Sequence, residues 1–180
     1  METNERTFTR LEKLINPGNT CCFTGHRPSK LPWRMNESDP RCFKLRDKLY
    51  DIADAVYLSG ITHFICGMAQ GCDMYFCEEV LRLRKKHPDI TIEAAIPCET
   101  QASTWPEDIR NRYFKLVGKC DMETLISCKY TPDCMIKRNK YMVENSSVLI
   151  AVFDGTFGGT MQTINYANKK GLEIIEIKPC

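Results

Sequence analysis

Three short segments concentrate residues able to hold an anion. They are Gly25-His26-Arg27, Gly67-Met68-Ala69-Gln70-Gly71-Cys72-Asp73 and Asp154-Gly155-Thr156-Phe157-Gly158-Gly159-Thr160. Six of the ten glycines fall in them. Glycine lets backbone N–H groups come close to a phosphate, and a helix beginning just after such a loop adds a favourable dipole. Arg27 brings a planar fork suited to bidentate phosphate recognition, with His26 beside it. The competing role for Arg27 is a pairing with Asp154 or Asp73 that ties the loops together. Asp73, in the first turn after Gly71, either accepts a ribose hydroxyl or ligand amine or is held by the helix dipole. Gly158-Gly159 taken alone also reads as a tight turn. Two such loops in one chain favour binding.

A second set of residues lies further along. Met135 and Met142 define a helical stripe, and Asn139 shares it, so a polar group is expected to face inward beside Arg138. A buried asparagine needs partners, in a neighbouring loop or in a ligand. Trp33 and Trp105, each next to proline, are either lids over a base or loop anchors. His63 precedes an apolar run and reads as a satisfied structural histidine, and His87 as a solvated one at a helix end. The runs Arg82 to Lys86 and Arg41, Lys44, Arg46, Lys48 read as solvated helix faces, with a nucleic-acid surface as the alternative. Neither G-x-G-x-x-G nor G-x-x-x-x-G-K-[ST] occurs, which argues against a standard dinucleotide site and against a P-loop NTPase.

The elements that must position these groups alternate along the chain. Strands are expected at 20–24, 63–66, 90–96, 122–127, 147–153 and 172–177. Helices are expected from Pro40 (capped by Ser38 or Asp39) to Gly60, after Gly71, after Pro106, from a Thr131 cap with Pro132 in the first turn, and over 160–170. Val148 to Phe153 is continuously apolar, as in a strand buried on both faces. The alternation predicts an α/β fold: one Rossmann-like, doubly wound sheet of about six mainly parallel strands with helices on both faces. No linker, repeat or low-complexity tract divides the chain. A single domain over 1–180 is expected, with its core at about 20–178 and an N-terminal extension over 1–19. Ligands bind such sheets beyond the carboxyl ends of the strands, where the three glycine segments fall.

Composition bounds the partners. The chain has 180 residues, Lys+Arg 25 against Asp+Glu 23, 43% hydrophobic and 27% charged residues. That balance excludes disorder and a strongly polyanion-driven surface as the default. The longest apolar run is too short to span a bilayer, and the acidic start of the chain shows no secretory signal. Eleven cysteines, none at C-x-x-C spacing, are expected to be reduced, buried, small hydrophobes in a cytoplasmic protein. No metal site and no cofactor are expected.

Together, Thr24-Gly25-His26-Arg27-Pro28 with Leu31-Pro32, Gly67 to Asp73, Lys137-Arg138-Asn139-Lys140-Tyr141-Met142-Val143, Asp154-Gly155 and Gly158-Gly159-Thr160 resemble the YpsA-like family of the SLOG superfamily. The DNA-processing protein DprA and the LOG cytokinin-activating enzymes are its distant relatives. The likeness runs over about residues 20–178. It implies a Rossmann-like fold and a site for a nucleotide or nucleotide-derived ligand. It further implies a part in nucleotide-derivative signalling or stress responses and, in some bacteria, in cell division. The LOG enzymes carry Pro-Gly-Gly-x-Gly-Thr-x-x-Glu and cleave an N-glycosidic bond. Here Thr163 stands at the glutamate position and Thr156-Phe157 at the double glycine. Threonine cannot replace a carboxylate that stabilises an oxocarbenium-like centre.

The leading expectation is therefore a nucleotide-ligand sensor or regulator. Its ligand-binding residues would be Gly25, His26, Arg27, Gly67, Gly71, Asp73, Arg138, Asn139, Asp154, Gly155, Gly158, Gly159 and Thr160. The first alternative is an N-glycosidic-bond hydrolase with Asp73, Glu78 or Asp154 as its acid. The second is a DprA-like binder of single-stranded DNA. The expected partner is a nucleotide-derived small molecule, with nucleic acid the alternative, no membrane, and a homo-oligomer left open. Binding and catalysis both stay open at this level.

Overall fold

The computed structural model describes residues 16–179. A tight turn, Pro17–Asn19, leads into β1 (Thr20–Gly25). There follow α1 (Pro40–Leu58), β2 (His63–Cys66), α2 (Cys72–Arg84), β3 (Thr91–Ile96), α3 (Glu107–Val117) and β4 (Met122–Leu125). The chain continues through α4 (Cys134–Glu144), β5 (Val148–Val152), α5 (Gly159–Lys170) and β6 (Glu173–Ile177). The six strands form one sheet in the order β4-β3-β2-β1-β5-β6, and every neighbouring pair is parallel. This is the α/β, doubly wound architecture that the alternating pattern predicts. Most of the expected 1–19 extension lies outside the described residues.

Alternation along the strands sorts side chains onto two faces. Cys21, Phe23, Phe64, Cys66, Ile92 and Ile150 share a core with α1, α2 and α3, where Phe23 stacks on Phe76 at 4.3 Å between ring centroids. Cys22, Ile65, Ala95, Leu149 and Ala151 pack with Met142 and Val143 of α4 and Ile164 and Ala167 of α5. Each fully buried large side chain contributes about 1.5–3 kcal/mol. All five residues of β5 are buried, as its apolar run requires.

A polar network crosses the second face. Glu93 of β3 is fully buried; its Oε2 lies 3.1 Å from His63 Nε2, and the Tyr141 hydroxyl donates to its Oε1 at 2.7 Å. His63 Nδ1 lies 2.8 Å from the Thr91 hydroxyl, so His63 is indeed a satisfied structural histidine. Burial pushes the Glu93 carboxyl up, but hydrogen bonds from His63, Thr124 and Tyr141 outweigh it and hold the group below the ordinary glutamate value.

Several local expectations hold and others change. Asp39 caps α1, accepting from the Arg41 N–H at 2.9 Å. Trp33 is buried in the core and Trp105 packs edge-on against Tyr113 at 5.4 Å, so both anchor loops. α4 begins at Cys134 rather than at Pro132, because the Thr131 carbonyl accepts from the Cys134 N–H in a turn ahead of the helix. His87 is not solvated: it stacks on Tyr57 at 4.0 Å and its Nε2 lies 2.9 Å from Asp54 Oδ1. The ten described cysteines are free, and eight are buried; Cys120 is half-buried and Cys128 exposed. Among the described residues no helix is long and apolar enough to cross a membrane.

Candidate functional site

β1 and β5 lie side by side in the sheet. The chain leaves β1 for α1 on one face and leaves β5 for α5 on the other. Such a reversal opens a crevice beyond the carboxyl ends of the two strands. A cavity of about 330 Å³ occupies that place. Of the thirteen sequence candidates for binding, Gly25, His26, Arg27, Asp73, Arg138, Asn139, Gly158, Gly159 and Thr160 line it. Segments more than 130 residues apart thus meet at one edge of the sheet.

The wall formed by α5 is open to an anion. The first bond within this helix runs from the Gln162 N–H to the Gly158 carbonyl, at 3.0 Å. The N–H groups of Gly159, Thr160 and Met161 therefore stand at the helix start without helical acceptors. A Cβ built on Gly159 would meet nothing within 4 Å, so the approach to these donors is clear. Arg27, on the opposite wall, is exposed. It pairs with neither Asp154 nor Asp73.

The floor holds two buried charges. Arg138 is 5% exposed and reaches from α4 to the carbonyl of Gly67, to which its Nη1 donates. A Cβ at Gly67 would run into that nitrogen, so glycine is what lets the guanidinium pass. Arg138 Nε donates to Asn139 Oδ1 at 2.8 Å, and Asn139 Nδ2 donates to the Thr163 hydroxyl at 2.9 Å. That hydroxyl donates to the Gly159 carbonyl, also at 2.9 Å. A continuous chain of bonds thus ties Arg138 to the open turn of α5. Burial lowers the Arg138 pKa; the Asp73 carboxylate opposes this and the Arg27 charge adds to it. Asp73 is also buried, and its Oδ2 accepts from the Ala69 N–H at 3.1 Å. Burial pushes its carboxyl up, against pulls from Arg138, the Ala69 N–H and Arg27.

A strap closes one side. Lys30 Nζ donates to the Phe157 carbonyl at 2.7 Å and to the Thr156 hydroxyl at 3.1 Å. Thr156 Oγ1 donates to Asp154 Oδ1 at 2.7 Å, and the buried His26 ring reaches the same oxygen at 2.7 Å. The Thr156 hydroxyl and N–H and the His26 ring hold Asp154 at about 2, despite some desolvation. It is His26, not Arg27, that ties the loops after β1 and β5.

The remaining candidates serve differently. Gly25 lets β1 pack on α2: a Cβ there would lie 2.5 Å from the Cβ of Cys72. Gly71 has φ +88°, and a Cβ there would lie 2.9 Å from the His26 carbonyl. Gly155 has φ +91° in an open turn. Glu78 is away from the crevice, paired with Arg112 at 2.8 Å and Arg46 at 3.0 Å. Asn139 is only half-buried; Arg138 is the inward residue of α4. Lys30, which lines the cavity, and Gln101, whose Nε2 donates to the Met68 carbonyl at 3.0 Å, carry no motif that singles them out. Met68 itself is fully buried with φ +53°, a strained position within the second glycine loop.

The fold is shared with DNA processing protein A. A Helicobacter pylori structure, reported for its single-stranded DNA binding mode, superposes with a TM-score of 0.63 at 16% identity. That match covers 91% of this chain and 67% of the other. The Streptococcus pneumoniae protein gives 0.59 at 11% identity, covering 89% of this chain and 53% of the other. In sequence, the chain is 33% identical over 144 residues to YoqJ, an uncharacterized SPbeta prophage-derived protein of Bacillus subtilis (strain 168). That alignment covers 73% of this chain and 84% of YoqJ. It is 27% identical over 156 residues to a UPF0398 protein of Bacillus thuringiensis (strain Al Hakam), covering 84% and 83%. The model of the YspA SLOG family, YpsA, matches residues 21–177, almost the whole of the sheet and its helices, and the chain belongs to that family.

Proposed function

We propose that the crevice binds the phosphate-bearing end of a nucleotide-derived ligand, and that the protein is a cytoplasmic sensor or regulator rather than a hydrolase. One observation carries this reading. Two guanidinium groups, the exposed Arg27 and the buried Arg138, share a cavity with the open first turn of α5. An anion there would relieve the repulsion between the arginines and satisfy backbone donors at once. Arg27 supplies charge from the mouth, Arg138 from the floor, and Gly158-Gly159-Thr160 the N–H cradle. Among the described residues Asp73 is the one carboxylate lining the cavity, and it would accept a ligand hydroxyl. Against hydrolysis, the Thr163 hydroxyl is committed to the Gly159 carbonyl and to Asn139.

The test starts with mass spectrometry of small molecules that co-purify with the protein. Calorimetric titration of wild type and Arg27→Ala follows, with nucleoside mono- and diphosphates as probes. Loss of a charge-assisted hydrogen bond weakens binding by about 1.5–3 kcal/mol, roughly ten- to hundredfold. The melting temperature of Arg27→Ala should match or slightly exceed that of wild type, since the repulsion on Arg138 is removed. Equal affinity of a folded variant would place the phosphate elsewhere. No free base should be released from nucleoside monophosphates. Turnover that disappears in Asp73→Asn would replace the sensor reading with an N-glycosidic hydrolase.

A further inference from the structure

The outer surface of α2 and α3 carries a groove remote in character from the crevice. Its volume is about 980 Å³, against about 330 Å³ for the crevice. Six cations line it, Arg82, Arg84, Lys85, Arg112, Lys115 and Lys119, against a single carboxylate, Glu78. The three arginines are already engaged. Arg82 Nε lies 3.0 Å from Glu79, Arg84 Nη1 2.7 Å from Asp121, and Arg112 is held between Glu78 at 2.8 Å and Glu37 at 2.6 Å. The lysines differ. Lys85, Lys115 and Lys119 are exposed, and none pairs with a carboxylate among the described residues. Cations at a helix end complement its dipole, which accounts for part of this pattern. It does not account for two helix ends presenting theirs to one shared groove.

We propose that this groove docks a phosphodiester backbone, a single strand of nucleic acid held without regard to sequence. Lys115 lies in the last turn of α3, Lys119 in the turn just beyond it, and Lys85 at the C-terminal cap of α2, so the three charges reach the groove from two neighbouring helix ends. Leu81 and Leu116 supply the apolar part of the lining, and no aromatic side chain among the described residues lines it. Base stacking and base readout are therefore absent, and attraction to the backbone remains. The arginine forks, which suit carboxylates and phosphates alike, are each occupied by a carboxylate of the chain itself, so the free charge of the groove is that of the three lysines. Free lysines act as point charges, which suits a chain with one charge per link.

The test is fluorescence anisotropy of a labelled oligo-deoxythymidine with the full chain between low and moderate salt. Wild type should bind at low salt and weaken linearly on a log–log plot. The triple variant Lys85→Ala, Lys115→Ala, Lys119→Ala should bind more weakly, with a slope shallower by about 2, since each phosphate neutralised on a single strand contributes about 0.7. All three side chains are exposed, and thermal melts confirm folding. Lys44→Ala, an exposed cation of α1 outside the groove, should bind the oligonucleotide as wild type does, which separates this groove from general surface charge. No binding at low salt would overturn the proposal. So would an unchanged slope in the triple variant, or an equal loss of binding in Lys44→Ala. Displacement of the strand by polyglutamate at equal charge concentration would make the groove a surface for acidic peptides instead.

Discussion

Gly67, whose carbonyl holds the arginine of the crevice floor, and Gly159, on the crevice wall, have opposite reasons to be glycine. At Gly67 the missing Cβ makes room for the protein's own Arg138. At Gly159 the space is empty, and φ lies outside the left-handed region. Gly67→Ala should therefore damage the fold, costing about 1–3 kcal/mol or more through overpacking against a buried charge. Gly159→Ala should melt at or slightly above the wild-type temperature, because alanine in a helical turn restricts the unfolded chain. Its methyl group would instead obstruct an anion approaching the α5 donors. Thermal melts and nucleotide titration of the two variants separate these outcomes. A Gly159→Ala protein that binds as tightly as wild type would remove Gly159 from the cradle.

α4 carries the candidate site residue that sequence periodicity placed least well. The stripe through Met135 and Met142 points to Asn139, yet the inward line is Cys134, Arg138 and Met142. An arginine reads as solvent-facing in a helical pattern. Its acceptor, the Gly67 carbonyl, is 71 residues distant and invisible to local spacing. The glycine loops, by contrast, are legible because each directly follows a short apolar strand. α4 is also pinned to the sheet by Tyr141, which donates to the buried Glu93. Because the folded Glu93 value lies below the ordinary one, the native state binds fewer protons than the unfolded chain in that interval. The stability it confers is thus fully present above the ordinary glutamate range and lost as pH falls through it. Tyr141→Phe should cost about 1.5–3 kcal/mol at neutral pH, the worth of a hydrogen bond to a charged group. That deficit should shrink in acid as the carboxyl protonates. Melts at pH 7 and pH 3 check this, and an equal deficit at both would show that the ring, not the hydroxyl, matters.

Across the whole molecule, strand and helix types follow from hydrophobic period, and their order from the right-handed crossover rule. The placing of β5 beside β1 does not follow from either. It arises because the β4-to-β5 connection returns across the sheet, and it alone creates the crevice. His26, Asp154 and Lys30 then find partners about 128 residues away, which no local pattern encodes.

The eight buried thiols turn the same core into a clock. Only a thiolate attacks an alkylating reagent, and burial pushes Cys22 up to about 12 and raises Cys21, Cys66 and Cys72 as well. Those sulfurs react only when the chain opens. With iodoacetamide, exposed Cys128 should be modified first among the described cysteines. The buried set should lag by more than about a thousandfold if opening costs above about 4 kcal/mol. Peptide mapping over time measures this, and equal rates would contradict the burial. A ligand that grips only the folded chain suppresses opening by a factor of one plus the ratio of free ligand concentration to Kd. It would slow the buried sulfurs and leave Cys128 unaffected, so an unlabelled compound library could be sorted by alkylation rate before any ligand is known.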